Sequence, residues 1–187
     1  MTKYTQMAIL QAFEEMLEKM PFDKITVSAI VAKCEISSNT FYYHFRDIYD
    51  LLDAWLDQQK NRYIDKTADL TSWTDRLKVV LHEMQNHPRL VHHIFDSISR
   101  ERLERYVFTS VENQFYTYVK NHTAGMEVED EKLRMMTSFY CYSLLGYLLK
   151  FMWSNMETDV DASIDTLGQI FQASLEQMLP REDGPVI

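Results

Sequence analysis

The scarcity of turn formers constrains this chain most. It holds four glycines and four prolines in 187 residues, and three of those eight lie in the last eight positions. A β-sandwich or barrel needs many tight turns, and glycine and proline supply most of them. The same scarcity leaves no glycine-rich loop to cradle a phosphate. Between the few breaks, apolar residues recur every three or four positions, which is the helical period. At 46% apolar residues the chain can bury a sizeable core. The fold class expected is all-α, with a short N-terminal head and a larger C-terminal helical bundle.

The breaks set the domain plan. Residues 4–20 read as a helix, with Ile9, Leu10, Phe13, Met16, Leu17 and Met20 at helical spacing and Pro21 as its stop. Thr26 caps a helix of about two turns striped by Val27, Ile30, Val31 and Cys34. Glu35, Ile36 and Ser37 make a tight connection. Ser37 caps a third helix running to about His44, with Phe41 and Phe45 facing inward. Three short helices with a three-residue joint between the last two form a helix-turn-helix pattern. Asp47 caps a fourth helix through Leu51, Leu52, Trp55 and Leu56. Further helices are predicted at about 73–86, from Pro88 to Ile98, at 101–120, 130–156 and 161–179. The domains expected are a helix-turn-helix head at 1–46, a sensing and dimerisation body at 47–180, and a polar, disordered tail at 181–187.

Other chemistries find little support. Cys34 and Cys141 lie inside apolar helical patterns and read as reduced thiols, not a disulfide framework. The first residues lack the basic-then-apolar pattern of a signal peptide. The most apolar stretch, Phe139 to Trp153, is too short to span a bilayer. A cytoplasmic protein without a membrane partner is expected. His82-Glu83 and His87 resemble a zinc-protease helix, but that motif needs histidines four apart, and these are five apart. Adjacent His92 and His93 point in different directions. No nucleophile motif or paired carboxylates stand out, so no enzyme, metal or cofactor is expected.

Charge decides less than it first suggests. The net charge is −9, yet residues 1–46 hold five basic and five acidic side chains, so the remainder carries the whole surplus. A neutral head on an acidic body can still dock on DNA through a few placed groups.

The most informative segment is 37–46, Ser-Ser-Asn-Thr-Phe-Tyr-Tyr-His-Phe-Arg. A recognition helix reads bases with its N-terminal residues and meets phosphate with other polar groups. Ser38 and Asn39 lie at that N-terminus, and an asparagine amide pairs with an adenine edge. Tyr43 is placed for bases or a thymine methyl. Thr40, Tyr42, His44 and Arg46 suit phosphate oxygens, and Thr26 and Ser37 complete the candidate DNA-binding set. A solvated amphipathic face is the plain alternative, but such faces usually favour lysine and glutamate over tyrosine.

Residues 26–52 resemble the DNA-binding signature of the TetR family of bacterial regulators. The resemblance rests on Thr26-Val27, the helix from Ile30 to Cys34, Ile36-Ser37, the run Thr40-Phe41-Tyr42-Tyr43-His44-Phe45-Arg46-Asp47, and Leu51-Leu52. The run Tyr42 to Leu51 is also similar to a subgroup related to the activator of dihydroxyacetone kinase operons, some of whose members answer to a partner protein. The resemblance implies a homodimer on a palindromic operator, an inducer pocket within helices four to seven, and a dimer interface from the last two helices. Two departures stand out: Glu35 occupies a turn position where the family often has glycine, and Ile48 stands where it often has lysine.

The last two helices suit that role. Residues 130–156 are apolar nearly all round, which requires burial on every side, and a second subunit can cover what one chain leaves open. Leu144, Leu148, Met152, Leu167, Ile170, Phe171 and Leu175 are the expected interface. Trp55, Met84, His92, Phe95, Phe108, Phe115, Tyr140 and Tyr147 are pocket candidates by helical position. The leading expectation is a repressor controlled by a small-molecule effector. A DNA-binding regulator controlled by a protein partner is the alternative, and a helical interaction module that does not bind DNA is the third.

Overall fold

The computed structural model describes residues 2–67, 70, 72–124 and 128–178, and all regular structure among them is helical. The tail expected at 181–187 lies outside the described residues. The chain groups into two compact units, Met1–Ile98 and Ser99–Ile187. No helix among the described residues is long and apolar enough to cross a membrane.

The first unit contains α1 (Thr2–Leu17), a 3-10 turn (Phe22–Lys24), α2 (Val27–Lys33), α3 (Ser38–His44), α4 (Ile48–Lys66), α5 (Trp73–Asn86) and α6 (Pro88–Phe95). Its core is built from Ile9, Phe13, Leu17, Phe22, Ile30, Phe41, Phe45, Leu51, Leu52, Trp55 and Ile94, among others. Phe13 sits at the centre, edge-to-face with Phe22 at 6.1 Å and with Trp55 at 6.4 Å. Such pairs add about 0.5–1.5 kcal/mol beyond the area they bury. Polar groups finish the packing. Glu14 Oε2 accepts hydrogen bonds from Trp55 Nε1 (2.8 Å) and Gln59 Nε2 (3.0 Å), which ties α4 to α1. His93 Nδ1 lies 2.6 Å from the Leu17 carbonyl oxygen, so it carries the proton and donates, satisfying the end of α1 from α6. This grouping by packing places α4 to α6 with the head and so divides the chain at 98/99, apart from the boundary expected at 46/47.

The second unit contains α7 (Arg100–His122), α8 (Asp130–Trp153) and α9 (Val160–Met178). Ser99 caps α7 by accepting the Arg102 amide at 3.3 Å, and Asp159 accepts the Ala162 amide at 3.0 Å at the start of α9. Phe115, Tyr140 and Phe171 join the three helices, with the Tyr140 and Phe171 rings 4.5 Å apart. The Tyr140 hydroxyl donates to the Phe171 carbonyl at 3.2 Å.

Three helices end earlier than the apolar pattern suggests, one of them that expected from Pro88 to Ile98, which stops at Phe95. The helix expected over 4–20 stops at Leu17, and the one expected over 130–156 stops at Trp153. At this last end, Asn155 and Met156 adopt left-handed φ angles of 52° and 60°. The amides of Met156 and Asn155 bond back to the Phe151 and Met152 carbonyls, a Schellman turn. Met156 is buried, so its apolarity continues the pattern through a turn and not a helix.

Candidate nucleic-acid interface

The third helix offers two contrasting sides. Phe41 and Phe45 are buried in the core of the first unit, while Ser38, Asn39, Tyr42 and Tyr43 are exposed. Tyr42 keeps 57% of its surface and Tyr43 keeps 74%. Large aromatic groups held outward on a helix anchored by two phenylalanines form a rigid polar-aromatic platform. His44 is half-buried, its ring edge-on to Tyr43 at 5.2 Å.

The hydroxyls flanking this face serve the fold first. Ser37 Oγ accepts the Thr40 amide at 3.1 Å and shares a 2.8 Å hydrogen bond with Thr40 Oγ1. Thr26 Oγ1 accepts the Ala29 amide at 3.2 Å and lies 3.0 Å from Ser28 Oγ. Thr26 and Ser37 thereby fix the starts of α2 and α3, and only their remaining hydrogen-bonding capacity is open to a ligand.

The joint between α2 and α3 explains how Glu35 fits. Its φ is 53°, in the left-handed region. The Ile36 amide bonds to the Val31 carbonyl at 3.1 Å and the Glu35 amide to the Ala32 carbonyl at 3.3 Å. That is again a Schellman turn, with Glu35 at the position where glycine is most favoured. The turn keeps its shape and the residue carries the strain.

Ile48 is half-buried against the core, so it supplies no charge. At the start of α4 two of the amides are already engaged. Asp47 Oδ1 accepts the amides of Tyr49 (2.8 Å) and Asp50 (2.9 Å), so these two are no longer open to an anion. Asp50, absent from the sequence-based candidates, takes Arg46: its Oδ2 accepts the Arg46 amide at 2.9 Å, and its Oδ1 lies 3.1 Å from the guanidinium. The Arg46 amide holds the Asp50 carboxyl below its usual range; burial opposes this, and the Arg46 guanidinium adds to the lowering. The signal was legible as Asp-x-x-Asp at 47–50, a spacing close to that of a capping box.

The pocket candidates fall in both units. Trp55 is buried in the first core, while Met84, His92 and Phe95 are half-buried there, with His92 Nδ1 3.6 Å from the Asp96 carboxylate. In the second unit, Phe115 and Tyr140 are core residues packed on Phe171, and Phe108 meets Tyr142 at 4.5 Å. Tyr147 stacks on Phe151 with ring centroids 6.2 Å apart, and its buried hydroxyl lies beside Ser163 without a well-formed hydrogen bond among the described residues. Among the described residues, no three histidine, cysteine or acidic side chains gather closely enough to hold a metal ion.

Of the expected interface residues, Leu144, Met152, Phe171 and Leu175 are buried within the chain and have little surface left for a second copy. Leu148 and Leu167 are half-buried and Ile170 is exposed. The exposed apolar side of α8 is a different set: Met135, Phe139, Tyr142 and Trp153. At about 3.6 residues per turn these stand at nearly one angle around the helix, in a stripe about 27 Å long. Gly146 lies on the same line, and a side-chain carbon there would meet open space. Reading apolarity all round did not separate the inward face from this outward one.

Comparison with known proteins agrees with this architecture. The profile described as "Bacterial regulatory proteins, tetR family" matches residues 9–55, and "Transcriptional regulator C-terminal region" matches residues 71–173. No curated protein matches the chain in sequence. Among solved structures, the dihydroxyacetone kinase operon activator DhaS superposes with a TM-score of 0.68 at 16% identity, over 94% of this chain and 98% of that one. A TetR transcriptional regulator from Streptococcus agalactiae gives 0.63 at 16% identity, over 96% of each chain. NalD of Pseudomonas aeruginosa, the secondary repressor of the MexAB-OprM multidrug efflux pump, gives 0.60 at 16% identity, over 98% of this chain and 100% of that one. At these identities the likeness concerns the fold.

Proposed function

The chain belongs to the TetR family of bacterial transcriptional regulators, and from that premise we propose that it binds a palindromic operator as a homodimer and releases it when a small-molecule effector binds. The observation that carries the DNA reading is the exposed face of α3. Asn39 and Tyr43 are assigned to base edges, with Ser38 beside them. Tyr42, Thr40 and His44 are assigned to phosphate oxygens, helped by the spare capacity of the Thr26 and Ser37 hydroxyls. The head at 1–46 meets DNA, and residues 47–180 sense and dimerise. Repression is the proposed direction, and the protein works in the cytoplasm with the chromosome.

The dimer is assigned to the outward stripe of α8, joined by Ile170 and the half-buried Leu167 of α9. Four large apolar side chains left in water along one helix favour association by the area they would bury. Two copies of α8 and α9 then form a four-helix bundle about a two-fold axis. Such a dimer presents two heads to half-sites about 34–36 Å apart, so an effector that favours another head spacing abolishes binding. Tyr147 is assigned to the effector, because its buried hydroxyl, beside Ser163 but without a well-formed hydrogen bond among the described residues, can donate to a ligand acceptor.

The test is selection of duplexes from a random pool, followed by binding with Tyr42→Ala and Asn39→Ala. A palindrome should emerge. Tyr42→Ala should weaken every sequence alike, whereas Asn39→Ala should relax preference at one base pair. If the purified protein enriches no sequence even at low salt, direct operator binding by this dimer is wrong. A reporter under the selected operator reads the direction of control.

A further inference from the structure

The following rests on the operator-binding reading and concerns what limits the protein's grip on other DNA. Three of the five basic side chains in residues 1–46 already lie against carboxylates. Lys24 Nζ is 3.1 Å from Asp23, Lys33 Nζ is 2.8 Å from Glu15, and the Arg46 guanidinium is 3.1 Å from Asp50. The Arg46 pair stands beside the recognition face, two residues beyond the end of α3. Its guanidinium side chain is 85% exposed, so it can reach outward.

The two members of this pair differ in freedom. The second oxygen of Asp50 accepts the backbone amide of Arg46 at 2.9 Å, and the Asp50 amide is itself bound by Asp47. The guanidinium can leave, but the carboxylate stays. Wherever Arg46 points, within a Debye length of about 10 Å the pair contributes almost no net charge to an approaching duplex. The neighbouring Asp47 charge is set against the positive end of α4 and adds no cation.

We propose that Asp50 is a positioning residue that sets specificity: it cancels the charge of Arg46 at the edge of the DNA-facing surface, so that binding depends on the directional contacts of α3 and non-specific duplex is held weakly. Non-specific affinity comes almost entirely from neutralised phosphates and the counterions they release. Each freed cation steepens the dependence of log affinity on log salt by about 0.9. With two heads, unmasking Arg46 adds about 1.8, roughly a tenfold greater loss of affinity over a fourfold rise in salt.

The experiment measures binding to the selected palindrome and to a scrambled duplex across a salt series, with the full-length protein, Asp50→Asn, Arg46→Gln and the double variant. Asparagine keeps an oxygen for the Arg46 amide while removing the charge. Asp50→Asn should steepen the salt slope by about 1.8 per dimer. It should also raise low-salt affinity for scrambled DNA more than for the palindrome. Arg46→Gln should make the slope shallower, and the double variant should return to the wild-type slope. A merely structural role for Asp50 would lower both affinities without moving the slope. The proposal is overturned if Asp50→Asn leaves the slope unchanged, or if the double variant matches Arg46→Gln alone. Should Asp50→Asn fail to fold, Asp50→Ser removes the same charge and is judged by the same slope. Failure of the operator reading is visible separately, in a wild-type protein that prefers no sequence and ignores Tyr42→Ala.

Discussion

Replacing Glu35 by glycine should stabilise the protein, although it deletes a side chain. Glu35 sits at φ 53° in the turn between α2 and α3, and both backbone bonds of the turn demand that conformation. A residue with a Cβ pays roughly 1–2 kcal/mol to stand in the left-handed region. Glycine does not, but it loses more freedom on folding, which returns about 0.5–1 kcal/mol. The net expectation is a gain of about 0.5–1 kcal/mol, a rise in Tm of roughly 1–4 °C for a chain of this length. Urea unfolding followed by circular dichroism reads it, at fixed protein concentration because a dimer's stability depends on concentration. Glu35→Ala is the control: it removes the same charge but keeps the φ penalty, so its stability should stay within about 0.5 kcal/mol of wild type. If Glu35→Gly is no more stable than Glu35→Ala, the turn stores no backbone strain. If both rise equally, the effect is electrostatic and the reasoning fails.

Three further outcomes are expected. Phe139→Asp combined with Tyr142→Asp should push the dimer towards monomer by about a thousandfold in Kd, since losing two anchors at about 2 kcal/mol each costs about 4 kcal/mol and each 1.4 kcal/mol is tenfold; sedimentation reads the mass, and an unchanged dimer would place the interface elsewhere. Tyr147→Phe removes a buried hydroxyl that makes no well-formed hydrogen bond among the described residues and should raise stability by up to about 1 kcal/mol while weakening effector binding; a loss of stability would mean that its contact with Ser163 is a full hydrogen bond. Asp130 accepts hydrogen bonds from the Tyr116 hydroxyl (2.6 Å) and Arg134 Nε (2.8 Å), and chiefly the first, then the second, holds its carboxyl below the ordinary value. A lowered folded pKa means stability that is present above the unfolded value of about 3.9 and lost as pH falls through the folded one. Asp130→Asn should therefore lower Tm at neutral pH, with the difference from wild type vanishing in acid; a difference that persists there would refute the assignment.

Much of the fold was legible because it is local. Thr26, Ser37 and Asp47 were predicted as caps from residue type and position, and each accepts amides from the next turn. Phe41 and Phe45 were expected inside from their four-residue spacing, and both are buried. Exposed Tyr42 and Tyr43 follow from the same period. Helix ends were less legible, since Met156 continues an apolar pattern whether the chain goes on as a helix or turns under it. The site was legible only as a list of side chains. That Arg46 belongs to Asp50, and that two first-turn amides of α4 are already occupied by Asp47, depends on the turn between two helices, which the period does not specify.

Sequence by itself thus determined the helical class, the three-helix head and which side of α3 faces outward, because helical periodicity and capping act over three or four residues. Tertiary structure decided which of many apolar residues on α8 are spent inward. Leu144 and Met152 are buried, whereas Met135, Phe139, Tyr142 and Trp153 remain exposed. Hydrophobic burial has no direction of its own. A helix apolar on every side takes its inward face from the helices that happen to pack on it, here α7 and α9, and only their arrangement decides which stripe is left exposed.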